Sequence, residues 1–410
     1  MTASPLEQVV RAAGGRIVAV LAARFRDLDI AEDAFAEACA RAAQVWPRGG
    51  TPYNPTGWLY RTAERCALDA LRQRKTRARL PPDAPEPERT PEEILMDDNT
   101  LIPDERLRLI FVCCHPAVAI ETRAALTLRL VCGLSTIEIA RAFLVREATL
   151  AQRLVRAKRK IAEAGVPFEV PGPDAWPERL DAVLSTLEVA YSKAHEDAAG
   201  VGAHAGYAAE MLDLTRVLTE LLPEESEALA FAALVRYAEA RRPARLNAHG
   251  AMAPLSEQDP ALWRRGLIGE ADGFFARAAA TREPTPRVLQ AALHRVWCER
   301  KSLDEPPPWG RILALYDRLL GFGDNIVVRL NRAVALAEVE GIAAALTEVD
   351  ALNSPSLQEF LPYHALRADL LRRAGRVDEA RAAYDCALAL GPASAERAWL
   401  QARQEMLRQK

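Results

Sequence analysis

The stretch GLSTIEIARAFLVREATLAQRLVRAKRKI, residues 133–161, is typical of two short helices separated by a tight break. Ser135 or Thr136 is placed to cap the first helix, because a hydroxyl oxygen accepts hydrogen bonds from unpaired backbone N–H groups. The link Leu144–Glu147 has the length of the turn in a helix-turn-helix. We expect the apolar residues at helical spacing to face inward: Ile137, Ile139, Ala140 and Phe143 in the first helix, and Leu150, Leu154, Val155 and Ile161 in the second.

The polar face of the second helix is strongly basic. No Asp or Glu occurs between Ala148 and Ile161. The second helix of a helix-turn-helix enters the DNA major groove, so motif and charge point to the same partner. We therefore favour DNA binding over the alternative, a helical hairpin whose cations only contact water. The side chains of this face are Gln152, Arg153, Arg156, Lys158, Arg159 and Lys160.

Length and composition indicate a multi-domain, all-α protein. The 410 residues are enough for roughly two to four domains. Apolar residues make up 50% of the chain but aromatic residues only 6%, and Ala, Leu, Arg and Glu dominate, which favours helices over strands. The net charge is −3, so the whole chain is not a basic nucleic-acid coat. Charge that binds DNA must be segregated, and the basic stretches lie largely before residue 170.

The cysteines and the apolar segments indicate the cellular compartment of the protein. The seven cysteines are odd in number and lie mostly in apolar helical stretches, which favours reduced thiols in a cytoplasmic protein. The sequence begins without the pattern of a signal peptide, and no apolar run is long enough to span a bilayer. We therefore expect a cytoplasmic protein with no membrane partner.

The cluster Cys113–Cys114–His115 raises the alternative of a metal site. Adjacent cysteines point in different directions on a helix, and no second pair of ligands follows at zinc-finger spacing. We favour a buried helix end here, and we expect neither a metal nor another cofactor.

A second basic stretch, PTGWLYRTAERCALDALRQRK, spans residues 55–75. Trp58 and Tyr60 stand at the start of a helix whose later turns carry Arg61, Arg65 and Arg72. Aromatic rings beside arginines suit single-stranded DNA, because bases stack on the rings while the cations meet phosphates. In the alternative interpretation the two rings are core residues and the arginines are solvated.

Two proline-rich stretches divide the chain. Residues 80–103 combine proline with acidic residues and are typical of a flexible linker. Residues 167–179 form a second joint, after which helical patterns resume. We predict the following divisions: a first helical domain at 1–78, a flexible acidic and proline-rich linker at 79–103, a helix-turn-helix domain at 104–168, a linker at 169–179, a helical extension at 180–320 and tetratricopeptide-like repeats at 321–410.

The predicted repeats rest on residues 363–392, YHALRADLLRRAGRVDEARAAYDCALALGP. Small residues at matching offsets on two helices, with Gly375 at the turn and Pro392 at the end, fit a tetratricopeptide repeat. Residues 328–352 look like a degenerate preceding unit. Since stacked repeats build extended binding surfaces, we expect a protein partner on this part.

With both basic stretches in view, the chain resembles the extracytoplasmic-function (ECF) sigma factors of bacterial RNA polymerase. The stretches at 29–46 and 55–75 are similar to sigma region 2, and residues 105–165 are similar to sigma region 4. The phrases IFVCCHPA, ALTLRLVCGLSTIEIARAFLV and ATLAQRLVRAKRKI are close to the ECF group numbered forty-two, whose members carry a helical extension with tetratricopeptide repeats.

The resemblance implies core RNA polymerase, through its β′ and β subunits, and promoter DNA as partners. It implies a role for three sets of residues. The helix that docks on the β′ clamp matches Asp29, Glu32, Asp33, Glu37 and Arg41. The part that holds the melted −10 element matches Trp58, Tyr60, Arg61, Arg65, Asp69 and Arg72. The helix that reads the −35 element matches Thr149, Gln152, Arg153 and Arg156, with Lys158 and Lys160 on or near phosphate.

Two other functions stay open as alternatives. A classical regulator would bind duplex DNA without polymerase and use the repeats as a sensor, but it would not need the separate region 2-like half. An enzyme would need catalytic residues, and the candidates in this sequence are His195–Asp197 and His294. The sequence has no phosphate loop and no nucleophile elbow, so we expect no enzymatic activity.

Overall fold

The computed structural model describes residues 5–78, 102–131, 134–142, 145–166, 180–188, 191, 204–280, 283–352 and 355–408. Within these ranges the regular elements are helices, and the one sign of β structure is an isolated antiparallel bridge between Leu246 and Met252. The predicted all-α class is confirmed. The chain forms two compact units: residues up to 196 together with 203–218, and the remainder.

Three helices begin the first unit: α1 (Pro5–Phe25), α2 (Leu28–Gly49) and α3 (Pro55–Ala78). A tight turn joins α1 to α2, in which Arg26 has a φ of 52°. Asp27 then caps α2, because its carboxylate accepts hydrogen bonds from the backbone N–H groups of Asp29 (2.9 Å) and Ile30 (3.0 Å). Such a cap satisfies donors that have no partner inside the helix.

The start of α3 is fixed by a close contact between Asn54 and Gly57. The side-chain oxygen of Asn54 accepts a hydrogen bond of 2.8 Å from the Gly57 N–H. A Cβ atom at Gly57 would lie only 2.8 Å from the Asn54 side chain, so the cap needs a glycine there. α3 then packs on α2 through small and aliphatic side chains: Ala38, Ala42, Leu59, Ala63 and Ala67 are all buried.

Four helices follow: α4 (Ile102–Cys113), α5 (Ile120–Leu130), α6 (Thr136–Ala142) and α7 (Glu147–Glu163). α6 and α7 form the predicted helix-turn-helix, with Ile139 and Ala140 buried on α6. Two of the apolar predictions are wrong. Ile137 is 46% exposed in the first turn of α6, and Val155 is 61% exposed on α7. Phe143, also predicted to face inward, lies outside the described residues.

The first unit is held together by α1, which packs against α2, α4 and, more lightly, α5. α7 packs on α5 and α6 through Leu150, Leu154, Ala157 and Ile161, all buried. Residues 180–188 are helical (α8), with Leu180, Val183, Leu184 and Leu187 buried. The region 2-like and region 4-like parts are therefore one packed body in this structure, although a long proline-rich stretch separates them in sequence.

α9 (His204–Leu221) lies at the division between the units. The second unit then contains α10 (Ser226–Arg241), α11 (Arg265–Ala278), α12 (Pro286–Cys298), α13 (Trp309–Leu320), α14 (Ile326–Val339), α15 (Ile342–Asp350), α16 (Leu361–Arg373), α17 (Val377–Ala389) and α18 (Ser394–Glu405). One hydrophobic cluster joins Ile312 and Leu313 of α13 to Ala335 and Leu336 of α14. The structure therefore does not separate the extension at residue 320.

α16 and α17 form the helical pair that the repeat pattern predicts. Gly375 lies between them with a φ of 76°, a conformation that glycine adopts readily. Small, aliphatic and aromatic residues of the pair are buried: Ala368, Leu371, Ala380, Tyr384 and Ala387.

The beginning and the end of the second unit are joined by the segment between α10 and α11. The Met252 N–H donates a hydrogen bond of 3.0 Å to the Ala395 carbonyl at the start of α18. Glu257 forms an ion pair with Arg403, also on α18. The last helix is thus attached to the first part of the unit as well as to α17.

Candidate nucleic-acid and polymerase interfaces

The exposed face of α7 gathers most of the predicted −35 residues. Gln152, Arg153, Arg156 and Lys160 are exposed, and Thr149 is half-buried at the start of the helix. An open groove of about 670 Å³ lies between this face and the start of α5, and its described lining contains three cations and no acid. The buried stripe of α7 fixes this orientation, because it faces α5 and α6.

Lys158 is the predicted −35 residue that the structure does not bring to this face. Its side chain is only 13% exposed and points toward α2. The Lys158 ammonium lies 2.5 Å from Asp29 Oδ1 and 2.9 Å from Glu32 Oε2. These contacts join a residue predicted to touch DNA to two residues predicted to touch polymerase.

A second cation holds the same carboxylate. Arg129 of α5 donates a hydrogen bond of 3.0 Å to Glu32 Oε1, so Glu32 lies between Arg129 and Lys158. Arg129 also donates to the Leu134 carbonyl at 3.1 Å, which fixes its guanidinium beside the helix-turn-helix. The Glu32 side chain is 17% exposed. We call Asp29, Glu32, Arg129 and Lys158 the ionic cluster.

The charge of Lys158 is stabilised by this environment. Burial acts to lower the pKa of Lys158, but hydrogen bonds and charge interactions with Asp29 and Glu32 outweigh it and raise the pKa above its ordinary value of 10.5. A lysine with a raised pKa contributes its stabilisation below its ordinary pKa and loses it only as the pH rises through the folded value. The contact therefore persists throughout the neutral range.

The exposed face of α3 carries a row of charged residues. Arg61, Arg65, Asp69 and Arg72 are exposed at helical spacing, and Arg72 pairs with Asp69 at 3.3 Å. Trp58 begins this row, half-buried, with its ring edge-to-face against Trp46 at 5.7 Å between centroids. Such pairs hold an aromatic ring in a fixed orientation.

Tyr60 does not belong to this row, and its predicted contact with DNA is not supported by the structure. It is 1% exposed on the opposite side of α3. Its hydroxyl donates to Glu64 Oε1 at 3.5 Å and accepts from Arg24 at 3.4 Å. Burial, with the Glu64 carboxylate beside it, raises the pKa of Tyr60. Tyr60 is a core residue, as the alternative interpretation held.

The predicted polymerase-binding residues lie along α2. Asp29, Asp33, Glu37 and Arg41 are exposed, and Arg41 donates a hydrogen bond of 2.9 Å to Glu37 one turn earlier. Glu32 is the half-buried member, held in the ionic cluster. The outer face of α2 is therefore acidic over its first half.

Comparisons with known proteins match the two basic parts separately. Residues 9–77 match Sigma-70 region 2, and residues 108–161 match Sigma-70, region 4. Residues 179–279 match a family of unknown function, DUF6596. An uncharacterized protein of Rhizobium meliloti (strain 1021) is 39% identical over 389 residues, which cover 92% of this chain and 89% of that protein.

The chain belongs to the ECF-like sigma factors and carries a C-terminal extension. No solved structure matches this sigma factor. Its two sigma domains give it a role in transcription initiation, with core RNA polymerase and promoter DNA as interaction partners.

In the described part of the sigma factor, no group of three or more His, Cys, Asp or Glu side chains is arranged to hold a metal ion. Cys113 and Cys114 are buried at the end of α4. His195–Asp197 lie outside the described residues, and His294 contacts Arg241 on α10. None of the described helices has the length and hydropathy that a membrane crossing requires.

Tyr53 is a further candidate for contact with DNA, and it was not among the residues predicted from the sequence. This residue lies in the short connection between α2 and α3, and its ring is fully exposed to solvent. Pro52 and Pro55 flank it closely, which restricts the backbone around the ring. An aromatic residue within a Pro- and Gly-rich connection, directly before the basic helix, was the available signal.

Proposed function

We propose that this sigma factor binds core RNA polymerase and directs promoter-specific initiation by contacting the −10 element with α3 and the −35 element with α7. The observation that carries this proposal is the orientation of the two helices. Each buries an apolar stripe in the first unit and leaves a row of cations exposed. Exposed cations at helical spacing suit the phosphate backbone, which dominates affinity for DNA.

The proposed −35 contact uses the groove beside α7. Arginine and glutamine suit guanine and adenine edges in the major groove, and Arg153, Arg156 and Gln152 are exposed for that purpose. Lys160 and Thr149 then lie beside the DNA backbone. In this conformation Lys158 is held by α2, so it reaches phosphate only after α7 leaves that helix.

The proposed −10 contact uses α3 and the connection before it. Trp58 and Tyr53 supply aromatic rings for stacking by unpaired bases, while Arg61, Arg65 and Arg72 lie along the DNA backbone. The proposed −10 residues therefore include Tyr53 and leave out Tyr60. No covalent chemistry is required, since specificity comes from two modest contacts joined in one chain.

The proposed polymerase contact uses the acidic outer face of α2 against the β′ clamp. Complementary charge favours both the encounter and its orientation. Contacts of region 4 with β complete the holoenzyme, which acts in the cytoplasm. A regulator that works without polymerase is less well supported, because it leaves the region 2 domain without a role.

We place the extension in the ECF group numbered forty-two and interpret α14–α17 as tetratricopeptide-like repeats. The helical pair with Gly375 at its turn supports this interpretation. We propose that the extension binds a protein partner or controls the sigma domains in cis. Promoter activity in cells that is unchanged by truncation after about residue 171 would contradict it.

The −35 assignment is tested by Arg153→Ala and Arg156→Ala. Each should reduce −35-dependent transcription in a reconstituted system by roughly 5- to 150-fold, because a good side-chain–base pair contributes about 1–3 kcal/mol of discrimination. Binding to core polymerase should stay unchanged. Arg381→Ala is the control: Arg381 is exposed on α17 in the second unit, outside both sigma domains. Equal transcription by all three variants would contradict the assignment.

A further inference from the structure

A groove of about 760 Å³ runs along the helical pair α14 and α15 in the second unit. Its described lining recurs every three or four positions from Ile326 to Glu340 on one side and from Ala344 to Ala351 on the other. Since a helix rises 1.5 Å per residue, the first side is about 20 Å long. We call this feature the α14–α15 groove.

The neighbouring helices leave the α14–α15 groove uncovered. α13 and α16 pack against α14, and α16 also packs against α15. Neither α13 nor α16 contributes to the described lining. An array of repeats builds its concave surface from successive pairs, whereas this groove lies between the two helices of one pair. It is therefore a surface of its own.

The groove has an apolar strip with exposed apolar residues near both ends. Leu336 is buried in its lining, and Ile326 and Leu352 are half-buried. Phe322, two positions before the lining begins, is 58% exposed, and Val339, beside Glu340, is 47% exposed. A partner that covers the strip and its ends removes all of these side chains from water, which favours binding.

The charges around the apolar strip are predominantly negative. Arg332 contacts Asp317 at 2.6 Å and also pairs with Glu348, so two carboxylates share one guanidinium group. In the described part of the chain, Glu340 forms no ion pair, and its side chain is exposed. The charged residues of the lining are Asp324, Arg329, Arg332, Glu340 and Glu348, and Arg329 pairs with Asp324. The surplus of acid favours a cationic partner and disfavours the phosphates of DNA.

We propose that the α14–α15 groove binds a basic amphipathic helix of a partner protein. The apolar face of that helix covers Leu336 and the strip around it, and its lysines and arginines lie beside Glu340 and Glu348. A helix fits this position because helices pack along the groove between two neighbouring helices, with anchors at three- and four-residue spacing. This inference rests on the proposed role of the extension in binding a protein partner.

The test uses the full chain and a phage-displayed library of random peptides of about 16 residues, enough for roughly four helical turns. We expect the enriched peptides to carry Lys or Arg on one face and Leu or Phe at three- and four-residue spacing. Each enriched peptide is then synthesised with a photoreactive group. Mass spectrometry should find it crosslinked to α14 or α15.

Two variants test the charge and the place of binding. Glu340→Lys should weaken binding of an enriched peptide, measured by fluorescence anisotropy at low salt, by about fivefold or more. Thr347→Lys places a cation on the other side of the groove, where Thr347 is exposed, and should act in the same direction. Glu405→Lys is the control: Glu405 is exposed on α18, outside the described lining, so the affinity should stay unchanged. Circular dichroism should show the same helix content in all three variants.

The outcomes separate this inference from the sigma assignment. No enrichment, enrichment of acidic or uncharged peptides, or equal affinity in Glu340→Lys and Thr347→Lys would each overturn the basic-helix site. Transcription directed by the chain would then still support the sigma role, with the extension acting in cis. If the chain fails to bind core polymerase while the peptides bind the groove, the proposed sigma function fails and the basic-helix site stands.

Discussion

The thiol of Cys39 shows how one residue's surroundings determine its reactivity. Cys39 is half-buried on α2, and burial raises its pKa from 9.0 to about 11. The thiolate is the reactive form, and at pH 8 a thiol with that pKa is ionised to roughly one part in a thousand. Cys386, by contrast, is exposed on α17.

We predict that iodoacetamide at pH 8 alkylates Cys386 rapidly and leaves Cys39 largely unmodified. Raising the pH toward 11 should accelerate the reaction at Cys39, because the thiolate fraction grows as the pH approaches the pKa. Peptide mass spectrometry over time measures both sites in one sample. Equal rates at pH 8 would show that burial does not protect Cys39. Unfolding in urea is the control, since it should bring the two rates together.

Within α3 and the connection before it, two tyrosines of the same stretch have opposite environments. Tyr53 is fully exposed and Tyr60 is 1% exposed. From the sequence, Tyr60 is predicted to contact DNA, because it stands beside Trp58 and Arg61. Each helical position turns by about 100°, so Tyr60 falls on the buried side of α3 although Arg61 follows it directly and is exposed.

We predict that Tyr53→Ala weakens binding of the holoenzyme to single-stranded −10 DNA by about 1–3 kcal/mol, because it removes a stacking surface. The melting temperature of the Tyr53→Ala protein should be unchanged. Tyr60→Ala should instead lower the stability of the protein by about 3–5 kcal/mol, because it leaves a cavity. Fluorescence anisotropy and thermal denaturation measure the two effects. A destabilised Tyr53→Ala with intact DNA binding would contradict this division.

In the helix-turn-helix, the spacing of apolar residues predicts most of the buried positions but not all of them. Leu150, Leu154 and Ile161 are buried as their spacing predicts. Val155 follows Leu154 by 100° around the helix and falls outside the buried stripe, and Ile137 lies in the first turn of a short helix. Apolar character alone does not distinguish these positions, because burial also depends on which neighbouring helix covers them.

At the scale of the whole molecule, the sequence predicts the order of helical domains better than their contacts. Lys158 and Glu32 are 126 positions apart. The acidic face of α2 and the basic face of α7 were both apparent in sequence, but charge patterns do not specify which acid meets which cation. That pairing depends on how α1, α4 and α5 pack the two sigma domains together.

The division into two compact units leads to a prediction about stability. Tyr384 is completely buried in the core of α14–α18, so Tyr384→Ala should destabilise the second unit by about 3–5 kcal/mol. The unfolding of the first unit should stay unchanged. Arg381→Ala is the control, since Arg381 is exposed on the same helix and should cost less than about 0.5 kcal/mol. Calorimetry measures both variants, and a first unit that is destabilised to the same extent in Tyr384→Ala would contradict independent units.

The attachment of the last helix to the segment around Met252 affects how the second unit unfolds under force. An open array of repeats unfolds from its free end, one helical pair at a time, because each pair contacts only its neighbours. Here tension applied to α18 is shared with the segment near Glu257, so the terminal pair has no free edge from which to start. When the second unit is pulled from its C-terminal end, it should unfold in a single event instead of a series of steps.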